Sequence, residues 1–261
     1  MKDQIKDFVL GLGVDDVGIA AAKDYKSPRS PDLQGIFPGV KSLVVLAYQE
    51  LSNCESENMQ IATGGRLDAL EFARSSNYRV ARFLEKKFKA KAMTVPASYP
   101  LPMSYETRGT VGDVSLRHAA IAAGLGNFGR HNLIIHPKIG SKVVFTAVMT
   151  NLDLPSDPPA TEKLCTDCQA CVENCPAHAL DEEGRTDDMK CLKNTQPYGI
   201  GGAIRFWTKF AESSTEDQKK MVKDVNFWRL YQAGSMLRFL VCIMSIPVLR
   251  ISFSRALISD G

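Results

Sequence analysis

The spacing of apolar positions changes several times along the chain, and each change marks an element. Ile5, Phe8, Val9 and Leu12 fall at helical spacing, and Gly11 and Gly13 break the pattern, so a short helix is predicted over 3–12. The runs 17–21 (Val-Gly-Ile-Ala-Ala) and 42–48 (Ser-Leu-Val-Val-Leu-Ala-Tyr) are compact, apolar and bounded by turn residues, as in strands buried on both faces. Between them, 26–39 reads as loop, with Pro28, Pro31 and Pro38. Over 67–88, Leu70, Ala73, Val80, Ala81, Leu84 and Phe88 follow the three-and-four spacing of a long amphipathic helix. A strand over 91–96 follows, and then a connection through Pro100 and Pro102. An Ala-rich helix over 115–123 and strands over 133–135 and 143–148 complete this part, and the mixture of helices and strands predicts an α/β sandwich.

Around 151–162 the chain turns to Pro, Asp and Leu, with Pro155, Pro158 and Pro159, which reads as a linker. This places an α/β core domain at 1–155 and a second module at 156–261. The second module has a polar stretch over 212–220 and then an apolar tail. The longest apolar run, 239–249, lies between Arg238 and Arg250 and falls short of the ~18 residues that would argue for a membrane span. Lys2, Asp3, Lys6 and Asp7 interrupt the apolar stretch that a signal peptide would need, so a cytoplasmic protein without membrane association is expected. The composition, 44% hydrophobic and 23% charged over 261 residues, is that of a compact globular chain. The net charge of +3 is carried by scattered basic residues, which argues against a nucleic-acid partner.

Cysteine is the anomaly. Of seven cysteines, Cys54, Cys165, Cys168, Cys171, Cys175, Cys191 and Cys242, four stand between 165 and 175. The run Cys165-x2-Cys168-x2-Cys171-x3-Cys175-Pro176 has the bacterial ferredoxin spacing for a 4Fe–4S cluster. Two intervening residues let a looping backbone aim successive thiolates at neighbouring corners of a cubane, while peptide N–H groups bond the sulfides. A structural zinc site is the alternative, although zinc sites usually separate their two cysteine pairs by a longer loop. Two-cluster modules carry a second run. Here Phe239-x2-Cys242-x3-Ile246-Pro247 reproduces its end with Phe239 and Ile246 where two cysteines would stand. On that alignment Cys165, Cys168 and Cys171 lack a fourth partner, and Cys175, Cys191 and Cys242 make a second, incomplete site. Cys242 reads equally as a buried apolar residue. Residues 249–261, with Ser252, Ser254 and Ser259 and no acid before Asp260, read as a disturbed chain end.

Gly124-Leu125-Gly126-Asn127-Phe128-Gly129 matches the dinucleotide fingerprint in letters but not in setting, because the helix precedes it and the strand follows. The stretch from Ser115-Leu116-Arg117-His118 through this segment to Arg130-His131, then Pro137, Gly140 and 150–154 before the cysteine run, resembles the epoxyqueuosine reductase and reductive dehalogenase superfamily. Upstream, 14–20, 37–42 and 77–85 sit where that family has its N-terminal elements, and Cys191 sits at its isolated cysteine.

The resemblance implies a nitroreductase-like α/β core with a C-terminal ferredoxin-like iron–sulfur module, and cobalamin between the two in characterised members. It implies a low-potential electron donor, such as a ferredoxin or flavodoxin, and a small-molecule substrate. Tyr78 and Arg130 sit in the segments where the family's proton donor and its anion-holding base fall. Asp113 lies close to, but out of register with, the family's acidic residue. Gly124, Gly126, Gly129 and His131 are the candidate cofactor-binding residues. His118, His131 and His136 read as hydrogen-bonded structural histidines, His178 as a residue tuning the metal site, and Cys54 as incidental. Three functions follow: an oxidoreductase, a non-catalytic electron carrier or redox sensor, and a decayed paralogue.

Overall fold

The computed structural model describes residues 1–95, 104, 110–195 and 200–237. Cys242, Phe239 and Ile246 therefore lie outside the described residues, as do the tail over 249–261 and the connection through Pro100 and Pro102. In chain order the elements are α1 (Lys2–Leu10), β1 (Asp16–Ala21), α2 (Leu33–Ile36), β2 (Ser42–Gln49), α3 (Met59–Phe88), β3 (Ala92–Val95) and α4 (Leu116–Ala122). They continue with β4 (Asn127–Phe128), β5 (Ile134–Ile135), β6 (Val143–Thr150), α5 (Ala170–Glu173), α6 (Asp188–Thr195), α7 (Ile200–Glu212), α8 (Thr215–Lys223) and α9 (Val225–Leu237). The chain divides into two units. One holds Met1–Cys54 and Gly64–Cys168, and the other holds Glu55–Thr63 and the residues from Gln169 onward.

The first unit is built on a sheet in the order β1-β2-β6-β3, antiparallel at every pairing. Gly18 pairs with Val45, Val45 with Ala147, and Val95 also with Ala147. Antiparallel sheets commonly leave one face to water, but here both are covered, as the unbroken apolar runs predict. Alternate residues of each strand feed two separate cores. On one face Ile19, Val44, Leu46 and Val148 pack under Ile5 and Val9 of α1 and Ala73, Val80 and Leu84 of α3. On the other, Ala20, Leu43, Val45 and Met149 pack under Ala119, Ala120 and Ala123 at α4. Each fully buried Val, Leu or Ile contributes ~1.5–3 kcal/mol, which makes this sheet the stable platform of the unit.

Two expected boundaries shift. Residues 26–39 are not all loop: Asp32 accepts a hydrogen bond from the Gln34 N–H and caps the single turn of α2, a local signal that the three prolines hide. α3 begins before residue 67, because Gly64 and Gly65 sit inside it, and the space at Gly65 is taken by the Asn53 carboxamide. Within α3 the helical turn sends Asn77 into the core and Tyr78 to solvent, where it is 65% exposed. Asn77 Nδ2 donates to the Val95 carbonyl, and its Oδ1 accepts from Thr146 Oγ1, which in turn meets the Tyr48 hydroxyl. Burial pushes the Tyr48 phenol up to about 12, with the Thr146 and Ser76 hydroxyls opposing the shift.

The segment read as a linker is bound along its length. β1 is an edge strand, so its outward N–H and C=O groups need partners. The Ala21 N–H donates to Ser156 Oγ and the Ile19 N–H to Asp157 Oδ2, while the Asp157 N–H donates to the Ile19 carbonyl. Lys2 and Lys6 of α1 hold the same carboxylate at 2.9 and 2.7 Å. Burial alone would raise the Asp157 pKa, but the two lysines and the Ile19 N–H outweigh it and the net shift is downward.

In the second unit, Ser214 Oγ accepts from the Asp217 N–H and caps α8, which explains the polar stretch over 212–220. Across α7 and α9, Phe206, Trp207, Phe210, Phe227, Trp228 and Tyr231 form a chain of ring contacts, with centroids 5.3 Å apart at Phe206–Trp207 and at Phe227–Trp228. Among the described residues, no helix is long and apolar enough to cross a membrane.

Asp157→Asn keeps the shape but removes the charge that Lys2 and Lys6 face, and is expected to lower stability by ~1–2 kcal/mol at neutral pH. Because folding depresses this pKa, the contribution is fully present above ~pH 5 and is lost as pH falls below ~4 towards the folded value. Thermal melts of both proteins at neutral pH and at about pH 3 check this: the gap between them closes in acid, and a gap independent of pH contradicts the assignment.

Candidate metal centre

The cysteine run begins where the strap of residues 156–165 ends. The loop turns sharply around Cys168, with Asp167 at φ 55° and Gln169 at φ 60°. Left-handed residues set between right-handed ones turn successive N–H groups toward one side, the backbone form found at phosphate and iron–sulfur sites. His178, two residues beyond Pro176, is left-handed as well, at φ 46°.

Each unit contributes thiols with their own donors. In the first, the Arg130 N–H donates to Cys165 Sγ at 3.4 Å. In the second, the Ala179 N–H donates to Cys175 Sγ at 3.4 Å. Burial pushes the Cys191 thiol up, the neighbouring Cys175 sulfur and the Asp188 carboxylate add to this, and the Thr195 hydroxyl opposes it. Cys175 therefore lies near Cys191 within the second unit. None of the six described cysteines is in a disulfide; Cys168 is exposed and the others half-buried. Among the described residues, no three His, Cys, Asp or Glu side chains form a group ready to hold a metal ion. The fit to a metal–sulfur group therefore rests on the donors: four cysteines at close sequence spacing with none in a disulfide, and N–H···S bonds at the first and last of them.

The glycine segment meets Cys165 within the first unit. α4 ends at Ala122, and β4 and β5 then form a short antiparallel hairpin, pairing Asn127 with Ile135 and Phe128 with Ile134. Its glycines are fixed by close packing. A Cβ at Gly124 would come 2.2 Å from the Pro158 carbonyl oxygen, one at Gly126 (φ 144°) 2.2 Å from that of Ile135, and one at Gly129 2.7 Å from the His131 ring. At each of these three glycines a protein atom stands where a side chain would be.

The histidines are held as structural expectation has them. The buried His136 ring accepts at Nδ1 from the Lys138 and Ile139 N–H groups, and its Nε2 lies 3.3 Å from Asp16 Oδ2. The His136 hydrogen bond is the main reason the Asp16 carboxyl is pulled down to about 2. His131 accepts from the Leu133 N–H at Nδ1, and burial lowers its pKa. His118 Nδ1 meets Ser115 Oγ at 2.8 Å, and its ring stands edge-on to Phe128. Desolvation first, and then the Arg117 charge, depress its pKa. His178 is exposed, with Nδ1 3.7 Å from Asp181.

Tyr78 and Asp113 are exposed, on α3 and on the approach to α4, and the Arg130 contribution recorded at the thiols is that of its main chain. An open cleft of about 460 Å³ lies instead between the 22–33 segment and α4, lined by Tyr25, Lys26, Ser30, Leu33 and His118 among others. Tyr25 is fixed there, its hydroxyl accepting the Ser115 N–H at 2.8 Å. No periodicity in the sequence marks this cleft, because its wall is the irregular Pro-rich segment.

No family model matches the sequence. The epoxyqueuosine reductase of Synechococcus sp. (strain CC9605) is 44% identical over 93 residues, 33% of this chain and 29% of that protein. That of Prochlorococcus marinus (strain NATL2A) is 30% identical over 172 residues, 64% of this chain and 50% of that protein. The chain is similar to the epoxyqueuosine reductases over part of their length. It spans half or less of the length of these two relatives. A crystal structure of epoxyqueuosine reductase with an epoxyqueuosine-modified tRNA-Tyr stem loop superposes with a TM-score of 0.56 at 19% identity, over 75% of this chain and 56% of that one. A catabolic reductive dehalogenase superposes with a TM-score of 0.58 at 21% identity, over 73% of this chain and 28% of that one. At these identities the likeness is one of fold: the mixed α/β architecture is shared with both branches of the superfamily that the sequence resembles.

Gly126→Ala is expected to destabilise the first unit by at least ~2 kcal/mol, from a strained φ and a clash with backbone. Gly140→Ala, at φ 74° but with open space around it, should cost only ~1 kcal/mol. Denaturant unfolding of the two variants checks the order, and equal losses would contradict the packing account.

Proposed function

We propose that this protein is an iron–sulfur oxidoreductase related to epoxyqueuosine reductase, acting on a small organic substrate. Its nitroreductase-like core is followed by a ferredoxin-like module whose first residues stay bound to the core. Cys165, Cys168, Cys171 and Cys175 are the thiolates that hold a 4Fe–4S cluster; if a second, incomplete site forms, Cys175 joins Cys191 and Cys242 there and the first site keeps Cys165, Cys168 and Cys171. The observation that carries this reading is the four-cysteine spacing joined to N–H donors on Cys165 and Cys175. A bound cluster supplies one-electron transfer at low potential, and a corrinoid, which the family resemblance implies, would supply a strongly reducing cobalt.

The protein's own groups have separable tasks. The four thiolates would anchor iron, and the N–H groups of Arg130 and Ala179 would spread negative charge from Cys165 and Cys175. The cleft beside Tyr25 and His118 has room for a small organic molecule, with a phenol and an imidazole already fixed in its wall. Electrons would come from a low-potential carrier such as a ferredoxin or flavodoxin. The exposure of Tyr78 and Asp113 favours a second reading, an electron carrier or redox sensor in which no side chain performs acid–base work.

Anaerobic purification with iron, sulfide and corrinoid analysis separates the two. The enzyme reading predicts several irons per chain with corrinoid bound, and the carrier reading predicts iron without corrinoid. Serine at any of Cys165, Cys168, Cys171 or Cys175 should abolish most visible absorption, whereas Cys54→Ser should leave it intact. Iron-free, colourless protein made without air would overturn both readings.

A further inference from the structure

We propose that the glycine hairpin is the mount for the first thiolate of the cysteine run, with Asn127 as its positioning residue and the Arg130 main-chain N–H as its sulfur donor. This rests on the iron–sulfur reading above. The hairpin, the strap and Cys165 all belong to the first unit.

The strap and its partners run in step. Ser156 and Asp157 bond β1, and Pro158 closes over Gly124, where even a methyl group would not fit. Asn127 Nδ2 then donates to the carbonyls of both Ala160 and Glu162, each at 3.0 Å. The Arg130 N–H next meets Cys165 Sγ at 3.4 Å. Successive contacts on the strap thus fall on successive residues of the hairpin. One carboxamide uses both of its N–H bonds to fix the residues leading into Cys165, so the sulfur is delivered to the Arg130 N–H with little freedom left. The hairpin holds that N–H in place in turn: the Gly129 N–H donates to the Leu133 carbonyl, the Asn132 N–H to the Gly129 carbonyl, and Asn132 takes the left-handed φ of 59° that a tight turn needs.

An N–H aimed at a cluster-bound sulfur stabilises the more negative, reduced state and raises the potential. The hairpin would then set both the place of Cys165 and the ease with which the cluster takes an electron. This gives the glycines a chemical purpose other than nucleotide binding: they bring a main-chain donor up to a thiolate.

Two variants test the mount by different routes. Asn127→Asp keeps size and shape but has no N–H to donate, and Arg130→Pro removes the sulfur donor itself. With the cluster loaded, both should retain iron while the midpoint potential falls, for Arg130→Pro by about the 59 mV that a tenfold change in a one-electron equilibrium represents. In metal-free protein, iodoacetamide should modify Cys165 several-fold faster in both variants than in wild type, with Cys54 in the same molecule unchanged. Should Arg130→Pro fail to fold, Asn127→Asp carries the test alone. Loaded protein whose potential does not move in the variants overturns the mount and leaves the iron–sulfur reading standing. If no preparation takes up iron, that reading fails by itself, and the alkylation rates decide the mount: faster modification supports it, and unchanged rates overturn it.

Discussion

An edge strand cannot leave its backbone groups unpaired beside a packed core, and in this chain that requirement organises everything downstream. β1 is the open side of the four-stranded sheet, and Ser156 and Asp157 supply the partners that a neighbouring strand would otherwise give. The Asp157 carboxylate adds two lysines of α1 to the same anchor. A segment that composition marks as flexible is thereby held, and the cysteine run starts from a fixed point on the core. Stability of the sheet and placement of the first thiolate are two results of one set of hydrogen bonds.

The same economy appears in the glycine segment. Its letters match a phosphate-binding fingerprint, yet each glycine is accounted for by a protein atom at the place where a side chain would stand: the Pro158 carbonyl, the Ile135 carbonyl and the His131 ring. Close approach of main-chain N–H to an acceptor is the common physical theme. In a nucleotide-binding loop that acceptor is a phosphate, and here it is the Cys165 sulfur.

Much of the fold was legible in the sequence because burial on both faces leaves a plain record. The runs at 17–21, 42–48 and 143–148 became β1, β2 and β6, and the helices over 3–12, 67–88 and 115–123 were all found. What stayed hidden depends on direction or on local bonding. Asn77 and Tyr78 are neighbours, and only the helical turn decides that the amide enters the core and the phenol faces water. The cap at Asp32, the bonds along 156–165 and the double donation from Asn127 leave no periodic trace, since each joins one side chain to one main-chain group. The cysteine spacing was legible as chemistry, but spacing alone does not reveal that the first sulfur is met by a donor from a hairpin far away in the chain.

The proposed function requires that the cysteines of 165–175 hold an iron–sulfur cluster that takes up an electron. The most direct measurement is the Mössbauer spectrum of protein enriched in ⁵⁷Fe under strict exclusion of air, recorded before and after reduction with dithionite. Sulfur-coordinated, valence-delocalised iron that changes state on reduction, and is lost when the four cysteines of 165–175 are replaced by serine, is the predicted result. Iron with oxygen or nitrogen coordination, or a signal indifferent to those four cysteines, would contradict it.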